Sequence, residues 1–314
     1  MLVFTTVFRP FLKKQFQRVK HVWGSGTIWT PGEVRHWLQH PLVQTRINYK
    51  ITGGQSEDRF QYFLRKYLSG RLPVDRALTL GCGNGELERG LSKYNLAGRH
   101  DAFDLSDDAI QNARKTAASL GLNHISYQVA DLNTARLDSG SYDVILGVSS
   151  IHHIEKLEHL FAEVRDALRF GGYFFLDEYI GPTKFQWTDE QLRLMNEQLN
   201  TLPQSLRRSV SEPGKFKTRV IRKTIEYVNE ADPSEAVRSG EIVPLLSRYF
   251  QIAEFKGYGG SLLHELLYDI AGNFTQETPG AMEHLQRLFK VEDELIESGR
   301  LGHDFAVIVA TKAG

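Results

Sequence analysis

The stretch ALTLGCGNG, residues 77–85, joins a short apolar segment to a turn that contains three alternating glycines. The segment Ala77 to Leu80 predicts a buried strand, and the residues after the turn predict a helix. Gly81, Gly83 and Gly85 let the backbone turn sharply and approach a ligand, because glycine has no Cβ. Free amides at the start of a helix favour an anionic group such as a carboxylate or a phosphate. The turn alone does not distinguish a ligand-binding loop from a tight connection between a strand and a helix.

Apolar strands alternate with amphipathic helices from about residue 75 to residue 180. Gly171 and Gly172 are expected to end the helix that precedes the fifth strand. The predicted strands are 77–80, 101–104, 125–129, 142–148 and 173–176, followed later in the chain by 250–255 and 305–310. Continuous apolar strands separated by such helices indicate a parallel sheet that is covered on both faces. The sequence therefore predicts a doubly wound α/β domain.

The chain is predicted to have four parts. An N-terminal helical extension covers residues 1–70 and also supplies a lid, and the α/β core covers residues 71–180. A helical insert over 181–245 is expected to cover the substrate. Residues 246–314 return to the core with the last two strands, and they carry a second helical insert at 261–300.

The composition excludes several classes of protein. Lysine plus arginine equals aspartate plus glutamate at 38 each, so the formal net charge is zero and no nucleic-acid partner is expected. Cys82 is the only cysteine, which excludes an internal disulfide and fits a cytoplasmic location. No apolar run is long enough to span a bilayer.

Residues 1–24 predict a basic amphipathic helix, with apolar side chains at spacings of three and four. This helix is expected to pack on the body of the protein or on a second subunit, which leaves a homo-oligomer open. The alternative is contact with an anionic membrane surface, which would make the protein membrane-peripheral.

Two acids follow the next two strands at positions suited to a nucleotide. Asp104 lies 19 residues after Gly85, where a carboxylate can accept hydrogen bonds from both hydroxyls of a ribose. Asp131, in the sequence Ala130-Asp131-Leu132, can accept from the exocyclic amine of adenine, and the next amide can donate to a ring nitrogen. Each acid alone also fits a helix cap or a turn. Together with the glycine turn, they place binders for a carboxylate, a ribose and an adenine in order along one sheet edge.

The stretch from Ala77 to Tyr179 resembles a class I S-adenosylmethionine-dependent methyltransferase. The motifs that carry the resemblance are Leu78 to Gly85, Phe103 to Ser106, Val129 to Leu132, Tyr142 to Ile145, Ile151 to Ile154 and Leu168 to Gly172. The resemblance implies a seven-stranded, mostly parallel sheet whose last strand is antiparallel. It also implies methyl transfer with S-adenosyl-L-methionine as cofactor and S-adenosyl-L-homocysteine as its product. The chain departs from the family at Thr79, where many members have an acid two residues before the first glycine.

The same resemblance implies which residues bind the cofactor. The glycine-rich turn would hold the methionine part, Asp104 the ribose and Asp131 the adenine amine, and the backbone of 147–149 would face the cofactor's amino group. Thr79 can still form a hydrogen bond, so binding is expected to be adjusted and not lost. The predicted cofactor-binding residues are Thr79, Gly81, Cys82, Gly83, Gly85, Asp104, Leu105, Ala130, Asp131, Leu132, Gly147, Val148 and Ser149.

Two alternative functions stay open. A nicotinamide-dependent oxidoreductase would need its third glycine at position 86, where Glu86 instead places an acid next to the pyrophosphate. A non-catalytic binding protein could keep the methyltransferase fold. We expect a methyltransferase that acts on a small molecule or glycoconjugate, with oxygen as the acceptor atom and nitrogen or carbon as alternatives.

Methyl transfer to a hydroxyl needs an aligned acceptor and a base that takes its proton. The candidates follow the fourth and fifth strands, at the edge where ligands of such sheets bind. The predicted catalytic residues are His152, His153, Asp177 and Glu178, each with a structural role as the alternative. The predicted substrate-binding residues are Tyr179, Gln186, Trp187, Arg219 and His264. No metal is expected, because the spacing of these residues fits no familiar metal motif.

Overall fold

The computed structural model describes residues 33–54 and 56–312, and their strands form one sheet. The strands are β1 (Val74–Leu80), β2 (Ala97–Asp104), β3 (Ile125–Val129), β4 (Tyr142–Val148), β5 (Leu168–Tyr179), β6 (Phe250–Gly259) and β7 (Phe305–Lys312). Their order across the sheet is β3-β2-β1-β4-β5-β7-β6. Strands β1 to β5 are mutually parallel, and β7 runs antiparallel between β5 and β6. The predicted α/β fold with a seven-stranded, mostly parallel sheet is confirmed.

Helices connect the strands and cover both faces of the sheet. They are α1 (Pro41–Thr52), α2 (Arg59–Tyr67), α3 (Glu86–Ser92), α4 (Asp107–Ser119), α5 (Leu157–Ala167), α6 (Asp189–Asn200), α7 (Ile225–Ala231), α8 (Ile242–Tyr249), α9 (Leu263–Leu267) and α10 (Ala281–Glu297). Ser106 caps α4, because its hydroxyl oxygen accepts a hydrogen bond from the Ala109 amide at 3.3 Å. A cap at this serine leaves the neighbouring Asp104 available for another role.

The junction between α5 and β5 differs from the prediction. Gly171 and Gly172 do not end the helix, since α5 ends at Ala167 and β5 begins directly at Leu168. Gly171 has a φ of 74°, and a Cβ on Gly172 would lie 3.0 Å from the carbonyl oxygen of Asp143. The two glycines therefore belong to an irregular stretch of strand that passes close to β4. A glycine pair of this kind looks like a helix stop in the sequence.

Alternate side chains of β5 pack into two different cores. Phe175 lies on the face that α1, α2, α6, α9 and α10 cover. Phe174 lies on the other face, packed against α5 and α8. At the carboxyl end of β5 the same alternation places Asp177 on the first face and Glu178 on the second. Two adjacent acids thereby enter two different environments.

The described part of the N-terminal extension contains the helices α1 and α2. Arg46 on α1 pairs with Glu292 on α10 at 2.9 Å and with Asp293 at 2.6 Å, which anchors α1 to the body of the protein. The predicted basic helix at 1–24 lies outside the described residues. Within 33–54 and 56–312, no helix is long and apolar enough to cross a membrane. The division into four parts and the lid stay predictions.

Candidate active site

The glycine-rich turn lies between β1 and α3, as the sequence predicts. Gly81, Gly83 and Gly85 have φ values of 73°, 51° and 76°, in the left-handed region that favours glycine. A Cβ on Gly81 would lie 2.4 Å from the Cβ of Ser150, and one on Gly85 would lie 2.5 Å from the Tyr127 hydroxyl. A Cβ on Gly83 would meet no described atom within 4 Å. Packing therefore requires the outer glycines, whereas the middle one borders open space.

Asp104 ends β2 beside this turn. Its Oδ2 accepts a hydrogen bond from the Gly83 amide and its Oδ1 accepts one from the Ser106 amide, both at 2.8 Å. Burial raises the pKa of Asp104, although these amides oppose the shift. The neighbouring Cys82 thiol is buried, which raises its pKa, and Leu105 is half-buried. The Asp104 carboxyl group is thus held in a fixed position at the mouth of the turn.

The loop after β3 is tied to the same place. Ala130 donates its amide hydrogen bond to the carbonyl of Asp104 at 2.8 Å. Oδ1 of Asp131 accepts from the backbone amide and the side-chain amide of Asn133, at 2.9 and 3.1 Å. Leu132 is buried in the core beneath the loop. The two acids predicted to bind ribose and adenine therefore follow neighbouring strands that a backbone hydrogen bond joins.

The end of β4 also reaches this edge. Gly147 is buried, and a Cβ there would lie 2.7 Å from Cγ1 of Ile151. Val148 is half-buried, and Ser149 is exposed with a φ of 50°. The Ser149 amide donates to the carbonyl of Asp177 at 2.9 Å. Left-handed backbone at a residue other than glycine is strained, and such strain is frequent at ligand sites.

Glu178 is fully buried and orients the loop after β4. Its Oε1 accepts hydrogen bonds from the amides of Ser150 and Ile151 at 2.6 and 2.7 Å, and its Oε2 lies 2.7 Å from Nδ1 of His152. Burial alone would lower the pKa of His152, but the Glu178 and Glu235 carboxylates raise it above its ordinary value. The structure therefore places Glu178 behind the histidine, where it fixes the ring.

The other ring nitrogen of His152 faces the helical insert. Nε2 lies 3.6 Å from Oε1 of Glu235. The His153 ring stands beside it at 4.2 Å between centroids, with Nδ1 3.1 Å from the Ser234 hydroxyl and 3.9 Å from Asp232. Burial lowers the pKa of His153 well below its ordinary value and raises the pKa of Glu235. Ligand atoms of His152, His153 and Glu235 lie within 4.8 Å of one another, so this trio could hold a metal ion.

Asp177 is paired on the opposite face of β5. Its Oδ2 accepts a short hydrogen bond from Nε of Arg59, and its Oδ1 accepts one from the Tyr258 hydroxyl at 2.7 Å. Asp177 is 3% exposed, so its burial would be costly without these partners. Of the roles that the sequence leaves open for this acid, the structure favours that of a paired structural acid.

An aromatic cluster covers the ends of β5 and β7. The Tyr179 ring centroid lies 5.7 Å from that of His264 and 5.1 Å from that of Phe305. Trp187 lies 5.9 Å from His264 and is 1% exposed, so it forms the enclosed side of the cluster. Tyr179 also reaches the His152 ring, at 6.2 Å. Three of the predicted substrate residues are thus brought together next to a predicted catalytic residue.

The other two predicted substrate residues differ in their surroundings. Gln186 donates from its side-chain amide to the carbonyls of Lys184 and Lys223, at 2.9 and 3.0 Å. Lys184 and Phe185 both have a φ of 54°, so the turn that carries Gln186 is strained. Arg219 is exposed in the irregular segment before α7. Their roles in substrate binding stay predictions.

Three charged residues of this region have no role predicted from the sequence: Arg59, Glu88 and Glu235. Arg59 lies 118 positions from its partner Asp177, and no local motif marks it. Glu235 follows Asp232 in a polar run that carries no strand or helix pattern. Glu88 on α3 gives a weak signal, since it stands three residues before the buried Leu91 on the inward face of the helix.

Comparisons with known proteins bear on this arrangement. The sequence profile described as Methyltransferase domain matches residues 77–172. The aklanonic acid methyltransferase DauC of Streptomyces sp. strain C5 is 31% identical over 99 residues, which cover 31% of this chain and 45% of that one. The fatty-acid O-methyltransferase of Mycolicibacterium smegmatis is 27% identical over 124 residues, covering 38% and 44%. The chain therefore spans less than half of the length of these relatives.

A solved structure matches over nearly the whole fold. It is the geranyl diphosphate C-methyltransferase of Streptomyces coelicolor A3(2), in complex with Mg²⁺, geranyl diphosphate and S-adenosyl-L-homocysteine. The TM-score is 0.54 over 95% of this chain and 98% of that chain, at 11% identity, a likeness that shows the fold alone. The profile match identifies residues 77–172 as a methyltransferase domain, and the strand order agrees with the seven-stranded sheet that the resemblance to class I S-adenosylmethionine-dependent methyltransferases implies.

Proposed function

We propose that the chain is an S-adenosylmethionine-dependent methyltransferase whose acceptor is a hydroxyl group of a small molecule or glycoconjugate. One observation carries the proposal: Ser150 joins the glycine turn to the Glu178–His152 pair. Its hydroxyl donates to the carbonyl of Leu80 at 2.6 Å, and its amide donates to Glu178 at 2.6 Å. If residue 81 carried a Cβ, that atom would clash with the Cβ of Ser150. The glycine turn, called the cradle below because it is proposed to hold the ligand, is therefore linked to the oriented histidine through one residue, Ser150.

The residues at the cradle fit the cofactor. Open space borders Gly83, the Asp104 carboxyl group stands at the mouth of the turn, and Asp131 follows the next strand. In this proposal the turn holds the methionine part, Asp104 the ribose and Asp131 the adenine amine. The cofactor supplies an electrophilic methyl group on a sulfonium centre. Glu86 is exposed at the first position of α3, where it would repel the pyrophosphate of a nicotinamide cofactor.

His152 is the proposed proton acceptor. Glu178 accepts the hydrogen bond from Nδ1–H and fixes the tautomer, so that Nε2 is the nitrogen that takes the proton of the acceptor hydroxyl. Glu235, 3.6 Å from Nε2, stabilises the protonated ring that results. His153 and Asp177 then act indirectly. His153 packs against the His152 ring, and Asp177 holds neighbouring elements together through its two partners.

A metal ion held by His152, His153 and Glu235 is the alternative way to activate the acceptor. We assign His152 as a base because a carboxylate already stands on each side of its ring, which favours a protonated intermediate state. Dialysis against a chelator separates the two assignments. Unchanged methyl transfer supports the base, whereas loss of transfer that Zn²⁺ or Mn²⁺ restores assigns the trio to a cation.

The aromatic cluster supports an acceptor with an apolar or ring-shaped body. Tyr179 and His264 are proposed to contact this body, and Gln186, Trp187 and Arg219 to shape the surrounding pocket. Oxygen is favoured because His152 offers a base, and because one relative is named as an O-methyltransferase. A cytoplasmic location, contact of residues 1–24 with a membrane surface, and assembly with a second copy stay predictions.

The experiment that tests the proposal follows a radioactive methyl group. The purified chain is incubated with methyl-labelled S-adenosylmethionine and a panel of hydroxylated small molecules and glycoconjugates, and label in each acceptor is counted. We expect transfer to at least one hydroxyl compound by the wild type and transfer at least about a hundredfold slower by His152→Gln. Label in a compound whose hydroxyls are all blocked would contradict oxygen as the acceptor atom. Cofactor binding without transfer to any acceptor would favour the non-catalytic alternative.

A further inference from the structure

Glu88 is a buried carboxyl group with no ion-pair partner among the described residues. It lies on α3, three residues after Gly85, and its side chain is 0% exposed. The Thr79 hydroxyl approaches this carboxyl group, but neither carboxyl oxygen has a donor at regular hydrogen-bond geometry among the described residues. Buried acids are almost always paired, because an ionised carboxylate that leaves water without a donor loses several kcal/mol of solvation. Such a group needs an explanation that the fold alone does not supply.

The surroundings of Glu88 place it at the cradle. The groups whose charge or hydroxyl acts on it are Thr79 on β1, Arg89 on α3 and Asp104 on β2. The charge of Glu88 raises the pKa of the Cys82 thiol, which lies in the glycine turn, and of the Tyr127 hydroxyl, which contacts Gly85. These residues lie on β1, β2, β3 and α3 or, for Cys82, in the turn itself.

None of these neighbours neutralises Glu88. The Arg89 guanidinium donates to the carbonyl of Asn84 at 2.5 Å, in the backbone of the turn. The Thr79 hydroxyl lies 2.9 Å from Nε2 of His100, and burial keeps that imidazole neutral by lowering its pKa to about 3. Asp104 is an acid and repels the charge. Burial therefore raises the pKa of Glu88 to about 7, although the Thr79 hydroxyl and Arg89 oppose the shift.

We propose that Glu88 is a further cofactor-binding residue, whose carboxylate complements the positive charge at the methionine end of S-adenosylmethionine held in the turn. This inference rests on the proposed function. The cofactor carries an ammonium and a sulfonium group there, and β1 carries the neutral Thr79 two residues before the first glycine. Glu88 supplies the negative charge that β1 lacks at this position, and the ligand supplies the cationic partner that Glu88 does not have among the described residues.

Binding should then be coupled to a proton. Below pH 7 the buried Glu88 is largely protonated, so a cationic ligand that prefers the carboxylate must displace that proton. We expect the affinity for S-adenosylmethionine to rise as the pH goes from 6 to 8. We also expect proton release near pH 6.5, approaching one proton per ligand bound.

The test is calorimetry on the whole chain in two buffers of different ionisation enthalpy, for the wild type and Glu88→Gln. Loss of one charge-assisted contact should weaken S-adenosylmethionine binding by about tenfold to a hundredfold. Proton release should disappear, and the affinity for methylthioadenosine, which lacks the amino-acid part and both charges, should stay unchanged. Glu86→Gln is the matched control, because this neighbouring acid is exposed. It should behave as the wild type.

A second variant keeps the result clear if Glu88→Gln alone is unstable. Adding Thr79→Asp to Glu88→Gln moves the acid from α3 to β1, and we expect it to restore most of the lost affinity. Equal weakening of both ligands by Glu88→Gln, or unchanged affinity and proton release, would overturn the inference while the proposed function stands. Failure of the wild type to bind S-adenosylmethionine at any pH would overturn the proposed function first.

Discussion

The cofactor half and the acceptor half of the site differ in how their residues are brought together. In the cofactor half, the glycine turn follows β1, Asp104 ends β2, and Asp131 lies two residues after β3, so each group belongs to a short continuous motif. In the acceptor half, Asp177 pairs with Arg59 from 118 positions earlier, and further contacts come from the helical inserts. Motifs that follow parallel strands lie at one edge of the sheet because the strands end there. Pairs between distant segments form only in the folded chain.

The largest effect is expected from a change that breaks the cofactor half at Gly81. In Gly81→Ala the new Cβ would lie 2.4 Å from the Cβ of Ser150, at a backbone φ of 73°. Overpacking and left-handed strain together should lower the free energy of unfolding by about 3 to 5 kcal/mol, measured by denaturant titration.

The control is Gly121→Ala, where φ is 69° and no described atom lies within 4 Å of the new Cβ. Only the strain applies there, so the loss should be about 1 to 2 kcal/mol. Equal losses in the two variants would show that the contact with Ser150 does not make the turn sensitive.

The two halves also differ in how much of their structure the sequence predicts. Strands β3 and β4 have the predicted bounds, because β3 alternates apolar with polar residues and β4 is a mostly apolar run. Glu178 is adjacent to Asp177 in the sequence, yet the pleat of β5 sends them to opposite faces with different partners. Sequence periodicity predicts that separation only once the strand is known to extend to Tyr179, three residues beyond its predicted end.

Arg59, which pairs with Asp177, and Glu235, which faces the histidine held by Glu178, could not be predicted from the sequence. Glu235 comes from a loop whose position depends on how the insert packs, and Arg59 begins a helix whose docking depends on the core. Neither residue follows a strand, so no rule about the edge of the sheet indicates it. Glu88 lies on a helix whose inward face was predicted, but a buried acid without a donor runs against the pattern of burial.

The acceptor half is tested next by His152→Gln. Loss of the base should lower kcat by about 10²- to 10⁴-fold in steady-state assays, with the affinity for S-adenosylmethionine unchanged. Glu178→Gln should also lower kcat while the protein still folds and binds the cofactor, because the ring loses its anionic partner. His284→Gln on α10 is the control and should keep the wild-type kcat. A His152→Gln variant with full turnover would remove this residue from catalysis.

A smaller effect is expected in the pH profile. Burial opposes protonation of His152, but Glu178 and Glu235 raise its pKa above 6.5, and the base acts only when neutral. Hence kcat should rise with pH through an inflection above 6.5, and Glu235→Gln should move that inflection to lower pH. The same raised pKa stabilises the fold below pH 6.5, and this contribution is lost as the pH rises through the folded-state pKa. If the inflection in kcat stayed at the same pH in Glu235→Gln, Glu235 would not affect the pKa of His152.

The smallest effect is expected at the outer edge of the acceptor half. Arg219 is exposed, so Arg219→Ala should raise KM for an anionic acceptor by about tenfold or less, with kcat and cofactor affinity unchanged. Arg99→Ala is the control, because Arg99 is also exposed but lies near the amino end of β2. A drop in kcat, or no change in KM for an acceptor that carries a carboxylate or phosphate, would contradict a role in binding.

Titration calorimetry of the wild type with S-adenosylmethionine, beside NADH, tests the central claim most directly. The structure predicts saturable binding of one S-adenosylmethionine per chain, weakened in Asp104→Ala, and no binding of NADH. Binding of NADH in its place, or of neither ligand, would contradict the claim that the glycine turn and Asp104 form a cradle for a methyl donor.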